Sequence, residues 1–209
     1  GAKNKEEAER LVKLGECAYF TTKYEEFGHG KVKAKALDDR VGCDLAIRLL
    51  KEDIALPLIV AFTVQEEVGL RGAGVATYQA KPDIALVLEG TTASDVPGTD
   101  EHKHATTVGS GPCITVIDRA SIPHPPLVQE LFAIAEEEGI KVQVRRNTAG
   151  GTDAGQIQLA EEGVKVATIA VPCRYIHSPV SVMSKDDYEG AFKLAKSYLN
   201  RLQEREASR

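Results

Sequence analysis

An α/β fold is predicted by three features of this sequence. From Asp39 onward, short apolar runs rich in β-branched residues alternate with amphipathic stretches, the order expected of strands joined by helices. Glycine-, proline- and asparagine-bearing turns punctuate the alternation at short intervals. The 209 residues are 43% hydrophobic and 27% charged, enough for one domain, or one and part of another, with a sizeable core.

Taken in order, residues 6–14 read as a short helix with acids first and Lys13 late, as the helix dipole prefers. Residues 17–22 and 31–37 read as strands flanking a polar turn over 25–30. Apolar positions Val41, Leu45, Ala46, Leu49 and Leu50 make a helical stripe over 39–51. The run 56–64 has the length and composition of a buried strand and stops at Gln65-Glu66-Glu67, with a helix over 70–79 beyond it. Residues 84–88 form the next strand, ending at Glu89, and 90–111 a long polar loop of the kind that carries function in compact domains. A strand over 113–118 and an amphipathic helix over 125–138 follow, the helix closed by Gly139 at its C′ position. A strand over 141–145, a glycine-bearing loop over 147–151, a helix over 153–160 and a strand over 164–171 lead to a terminal helix over 185–203, with fraying from 204 to 209. There is no internal repeat.

Composition narrows the function classes. A net charge of −5 gives no nucleic-acid or anionic-membrane surface, and no apolar run approaches the ~20 residues of a membrane span. No secretory signal is visible, and the scattered Cys17, Cys43, Cys113 and Cys173 suit a reducing compartment, so the expected location is cytoplasmic. Aromatic residues make up 5% of the chain and tryptophan is absent, which argues against carbohydrate stacking.

Polar residues from four places share one topological address. Asp38 follows the 31–37 strand, Glu66 and Glu67 the 56–64 strand, Glu89 the 84–88 strand, and His177 comes six residues after the 164–171 strand. Ligands of open α/β sheets bind at the carboxyl ends of strands. Each residue alone has a plainer reading: an N-cap for Asp38, a solvated strand end for the glutamates, a core or surface histidine for His177. Together they would repel unless a cation sat among them. Carboxylates mixed with an imidazole suit zinc, cobalt or manganese better than calcium or magnesium. Adjacent side chains on an extended chain point to opposite sides, so Glu66 and Glu67 can do two jobs, one on a metal and one on a water.

The segments Lys35-Ala36-Leu37-Asp38-Asp39-Arg40-Val41-Gly42, Gln65-Glu66-Glu67-Val68-Gly69, Leu88-Glu89-Gly90-Thr91, Gly150-Gly151-Thr152-Asp153-Ala154-Gly155 and Pro172-Cys173-Arg174-Tyr175-Ile176-His177-Ser178-Pro179 resemble the tetrahedral aminopeptidase family of dinuclear metallopeptidases. That family includes glutamyl, leucyl and deblocking aminopeptidases, some labelled endoglucanase. The resemblance runs from about residue 2 to about residue 202. It implies a three-layer α/β/α catalytic domain with a mixed sheet over 35–209, and in 1–34 the remnant of an inserted β-rich, PDZ-like domain. It implies two divalent metal ions, zinc or cobalt, with Asp38 bridging them, Glu67 and His177 on one and Glu89 on the other. The peptide bond between Asp38 and Asp39 is expected to be cis, Glu66 to be the general base, and Gly151, Thr152 and Asp153 to shape the substrate pocket. Peptides are the implied substrates, and a homo-oligomer, the family's tetrahedral dodecamer, the implied assembly.

The sequence departs from that family in one respect. A metal-ligating histidine in a His-x-Asp segment precedes the Asp-Asp-Arg motif in the family, and none of His29, His102, His104, His124 and His177 fits it. The expectation is therefore a chain lacking the first strands of the catalytic domain, with weakened binding of one metal. A non-catalytic assembly or binding subunit is the alternative. A glycosidase using Glu66 and Glu67 is disfavoured, because neighbours on one strand do not flank a bond at the required carboxyl separations of ~5–9.5 Å.

Overall fold

A computed structural model of the chain describes residues 1–208. Two sheets organise it. The larger has the order β3 (Ile84–Thr92), β6 (Lys165–Cys173), β4 (Cys113–Ile114), β5 (Gln143–Val144). β3 and β6 run parallel over nine pairs from Ile84↔Lys165 to Thr92↔Cys173, β6 and β4 antiparallel, and β4 and β5 parallel. The smaller sheet is antiparallel, in the order β1 (Glu25–Phe27), β2 (Lys31–Ala34), β7 (Ser181–Ser184).

Strand periodicity sorts β3 between two layers. Ile84, Leu86 and Leu88 pack into the large core, while Ala85 and Val87 face the opposite side. The large core is built with α2 (Leu37–Leu49), α4 (Pro125–Glu137) and α6 (Lys185–Ala207). On the other face, Ala154 and Ile157 of α5 (Ala154–Ile157) meet Val87 and Val166, and α3 (Arg71–Ala80) packs against α5. The result is the expected three-layer α/β/α arrangement on a mixed sheet. Leu131 and Ile134 of α4 and Leu194 of α6 are fully buried, each worth about 1.5–3 kcal/mol of transfer free energy.

Local chemistry explains the element ends. α1 (Lys5–Leu11) starts where the Asn4 side chain accepts a hydrogen bond from the Glu7 N–H, 2.9 Å away. α4 opens with prolines in its first turn and ends in a Schellman arrangement: Gly139 adopts φ +64°, its N–H bonds Glu136 O, and the Ile140 N–H bonds Ala135 O. Asp187, buried in the first turn of α6, accepts the N–H groups of Gly109 and Gly111 at 2.6 and 2.7 Å and ties down the end of the 90–111 loop.

Several expected elements differ. Residues 17–22 form no strand, and the supposed polar turn contains β1. β7 had no periodicity long enough to announce it. β3 continues to Thr92, so Glu89 lies within the strand and does not follow it. β6 reaches Cys173, which leaves His177 four residues past its end. The strands expected over 113–118 and 141–145 shrink to two residues each. The terminal helix runs on to Ala207 where fraying was expected, and Arg209 lies outside the described residues.

The largest difference concerns residues 56–64. They belong to no strand, although burial alternates along 54–60, with Ile54, Leu56 and Leu58 packed against the large core. The pattern and apolar face are those of a strand; a hydrogen-bonded neighbour is what they lack.

Candidate metal centre

The site begins at an irregular helix start. Ala36 is left-handed at φ +50°, and Asp38 and Asp39, joined by a cis peptide bond, hold non-helical angles before α2 settles. The capping contact falls to Asp39, not Asp38: Asp39 Oδ1 accepts the Gly42 N–H at 2.9 Å. Asp38 is thereby free to face the cleft it shares with Glu67 and His177. Gly42 is required here, because a Cβ would lie 2.1 Å from Leu88 O. That close approach sets Asp38 against Gly90, whose own Cβ position is 3.0 Å from Asp38 Cβ.

Glu66 and Glu67 occupy a tight turn. Gln65 sits at φ +60°, Glu66 O accepts the N–H groups of Gly69 and Leu70 at 3.1 and 2.8 Å, and α3 starts at once. His177, also left-handed at φ +60°, lies between β6 and β7. Its Nε2 is 3.1 Å from Glu67 Oε2 and 3.3 Å from Asp38 Oδ2. Ligand atoms of Asp38, Glu67 and His177 all fall within 4.8 Å of one another. They line a cleft of about 310 Å³ with Phe20, Ala36 and Pro179. Ala36, Gln65, Leu70, Tyr175 and His177 all have positive φ, and such backbone outliers cluster at functional sites.

Glu66 and Glu89 stand outside that triad but close to it. Burial, with Glu67 and Asp38 nearby, pushes the Glu66 carboxyl up to about 7. Burial and the Glu67 charge raise Asp38 to about 6 against the opposing effect of His177. Asp39 rises to about 8, again chiefly through burial. Glu89, buried in β3, is raised well above its ordinary range by burial and then by Asp39, Glu66 and Asp38. Five carboxylates in so small a volume cannot all ionise without a counter-charge. One imidazole among oxygen donors fits a borderline divalent ion.

The glycine loop contributes behind the triad. Gly151 packs so closely on Ala120 that a Cβ would lie 2.4 Å from its methyl group. Thr152 is buried, and its Oγ1 accepts the Ala154 N–H at 3.3 Å. Asp153, also buried, donates its N–H to Glu89 Oε1 at 3.3 Å and accepts the Thr63 hydroxyl at Oδ2, 2.5 Å away, while Oδ1 has no partner. The sequence reading missed Asp39 and Thr63 as supports. Adjacency to Asp38 was the available signal for the first, and nothing marked Thr63 inside an apolar run.

Comparison with known proteins gives a consistent picture. The family model described as M42 glutamyl aminopeptidase matches residues 1–194. A putative aminopeptidase of Acetivibrio thermocellus is 39% identical over 196 residues, covering 93% of this chain and 58% of its own length. An aminopeptidase from the archaeon Desulfurococcus kamchatkensis superposes with a TM-score of 0.89 at 40% identity, covering 95% of this chain and 57% of that one. The TET1 peptidase of Pyrococcus horikoshii, which can assemble into a tetrahedron or a large octahedral shell, matches at 32% identity and a TM-score of 0.76, over 94% of this chain and 58% of that one. The chain thus spans rather more than half the length of the relatives it matches.

Proposed function

Because the chain belongs to the M42 glutamyl aminopeptidase family, we propose that it is the metal-binding part of an aminopeptidase that removes N-terminal residues from peptides. The observation carrying this reading is the convergence of Asp38, Glu67 and His177 from three distant parts of the sequence. Divalent metal ions held there, zinc or cobalt, supply Lewis acidity toward the scissile carbonyl and acidify a water.

The chain's own residues do the rest. Asp38, Glu67, His177 and Glu89 would hold the ions, with Asp38 shared between them, Glu67 and His177 serving one and Glu89 the other. Glu66, adjacent to Glu67 but outside the triad, takes the proton from the attacking water and returns it to the leaving amine. Gly151 allows the loop to approach Ala120, and Thr152 and Asp153 form the wall behind the substrate. Residues 1–34 belong to an inserted β-rich domain and 35–209 to the catalytic domain. The assembly is a tetrahedral dodecamer, and the location cytoplasmic. The alternative reading is a binding or assembly subunit of the same fold.

Metal analysis combined with aminoacyl-p-nitroanilide turnover tests both readings. The peptidase reading expects bound zinc or cobalt and turnover lost about 10²–10⁴-fold in Glu66→Gln with metal retained. Metal without turnover selects the subunit reading. Turnover unaffected by Glu66→Gln removes Glu66 as the base.

A further inference from the structure

Arg174 lies three residues before His177 and is the only arginine or lysine between β6 and β7. Just beyond the β3–β6 ladder the Ala93 N–H bonds Cys173 O at 2.9 Å, and from there the two chains part. One continues along the polar loop to residue 111, the other into the turn that carries His177. Across the gap the Arg174 guanidinium holds the Asp95 carboxylate with two parallel bonds, Nε to Oδ1 at 2.9 Å and Nη2 to Oδ2 at 2.6 Å. The side chain of Asp95 is 6% exposed, so this is a largely buried pair. Asp95 Oδ2 also accepts the Val108 N–H at 3.0 Å.

The turn needs such a support. Tyr175 and His177 are left-handed at φ +56° and +60°, and non-glycine residues keep that conformation where their surroundings enforce it. Burial does not enforce it here, because the His177 side chain is 61% exposed. The hydroxyls within the turn bond locally, Ser178 to Val180 O at 2.8 Å and Ser181 to Tyr175 O at 3.4 Å. Its base is closed by Arg174 and Val182, which exchange backbone hydrogen bonds of 2.8 and 3.0 Å. The same residue that closes the base is therefore the one clamped to Asp95. A bidentate pair fixes the plane of the guanidinium as well as its distance, which a point charge does not.

We propose that Arg174, held by Asp95, is a positioning residue for His177: it fixes the base of the 175–181 turn so that the imidazole meets Asp38 and Glu67. The proposal rests on the metal-binding reading above. It gives the 90–111 loop a part in that site, since Asp95 sits on a segment whose far end is anchored by Asp187 through Gly109 and Gly111. The pair also commits the Arg174 charge to Asp95, which leaves the Asp38 and Glu67 carboxylates to a metal.

Cobalt(II) titration of the chain, followed by visible absorption, is the test, with circular dichroism to check that each variant is folded. Arg174→Met and Asp95→Asn are each expected to weaken cobalt binding about tenfold or more and to shift the cobalt bands, and Arg174→Lys to recover part of the loss. Made in a His177→Ala background, the first two substitutions are expected to change nothing further, because they act through the imidazole. Losses that add to that of His177→Ala mean a general loosening of the fold and overturn the proposal. Affinity and spectrum unchanged in both variants overturn it as well. Should Arg174→Met fail to fold, the nearly isosteric Asp95→Asn decides by the same criteria. A wild-type chain that binds no cobalt overturns the metal-binding reading together with this proposal, whereas cobalt binding indifferent to Arg174 and Asp95 overturns the proposal alone.

Discussion

His177 shows how much one residue depends on its backbone. Its imidazole reaches Asp38 and Glu67 because the chain turns left-handed at Tyr175 and again at His177 itself. Glu67 comes from the turn after 54–64 and Asp38 from the start of α2, so removing the imidazole leaves two carboxylates with no neutral donor between them. His177→Ala is expected to weaken zinc binding by at least about tenfold, measured by titration against a chromophoric chelator, with the fold unchanged by circular dichroism. Equal affinity in wild type and variant removes His177 from the ligand set. Asp39 makes a complementary point: its carboxylate caps α2 through Gly42 and leaves Asp38 to the cleft.

Between elements, the decisive contact is α2 against β3. Gly42 passes Leu88 O so closely that any side chain must force the two apart. Gly42→Ala is therefore expected to cost about 1–3 kcal/mol, as overpacking in a tight interface does, and to loosen Asp38 relative to Glu89. Urea unfolding of metal-free protein measures the first effect, and zinc titration the second. A variant with unchanged midpoint and affinity would show that the interface relaxes freely. The 54–64 segment carries the opposite lesson. Its core-facing residues are placed as in a strand, but side-chain burial alone does not complete a sheet when the backbone groups have no partner.

Across the whole molecule, the acidic cluster ties stability to pH and to metal. Asp38, Glu66 and Asp39 have folded-state pKa values of about 6, 7 and 8, all above their ordinary values. The folded metal-free chain therefore holds protons that the unfolded chain releases. That contribution is fully present below about pH 4 and is lost as pH rises through 6 to 8. The melting temperature of metal-free protein is expected to fall between pH 5 and pH 8. Added zinc should reverse the trend, since it stabilises the ionised cluster and binds more tightly as protons leave. A metal-free melting temperature that is flat or rises over this interval would show that the carboxylates do not share one low-dielectric site. No helix among the described residues is long and apolar enough to cross a membrane.

What the sequence determined by itself was the set of helices and the identity of the acidic residues. Helical periodicity marks α2, α4 and α6 within a few residues, because each buries an apolar stripe of its own. The motifs likewise singled out Asp38, Glu66, Glu67, Glu89 and His177, of which the structure groups Asp38, Glu67 and His177. Tertiary structure decided the rest. β1, β7 and the two-residue strands β4 and β5 exist through their partners, and 54–64 fails to become a strand for want of one. Which of the acids meet His177, and that Asp39 rather than Asp38 caps the helix, follow from left-handed turns and the Gly42 approach to Leu88. A helix closes its hydrogen bonds within itself and so can be read locally. A strand, like a metal site, is completed only by residues far away in the chain.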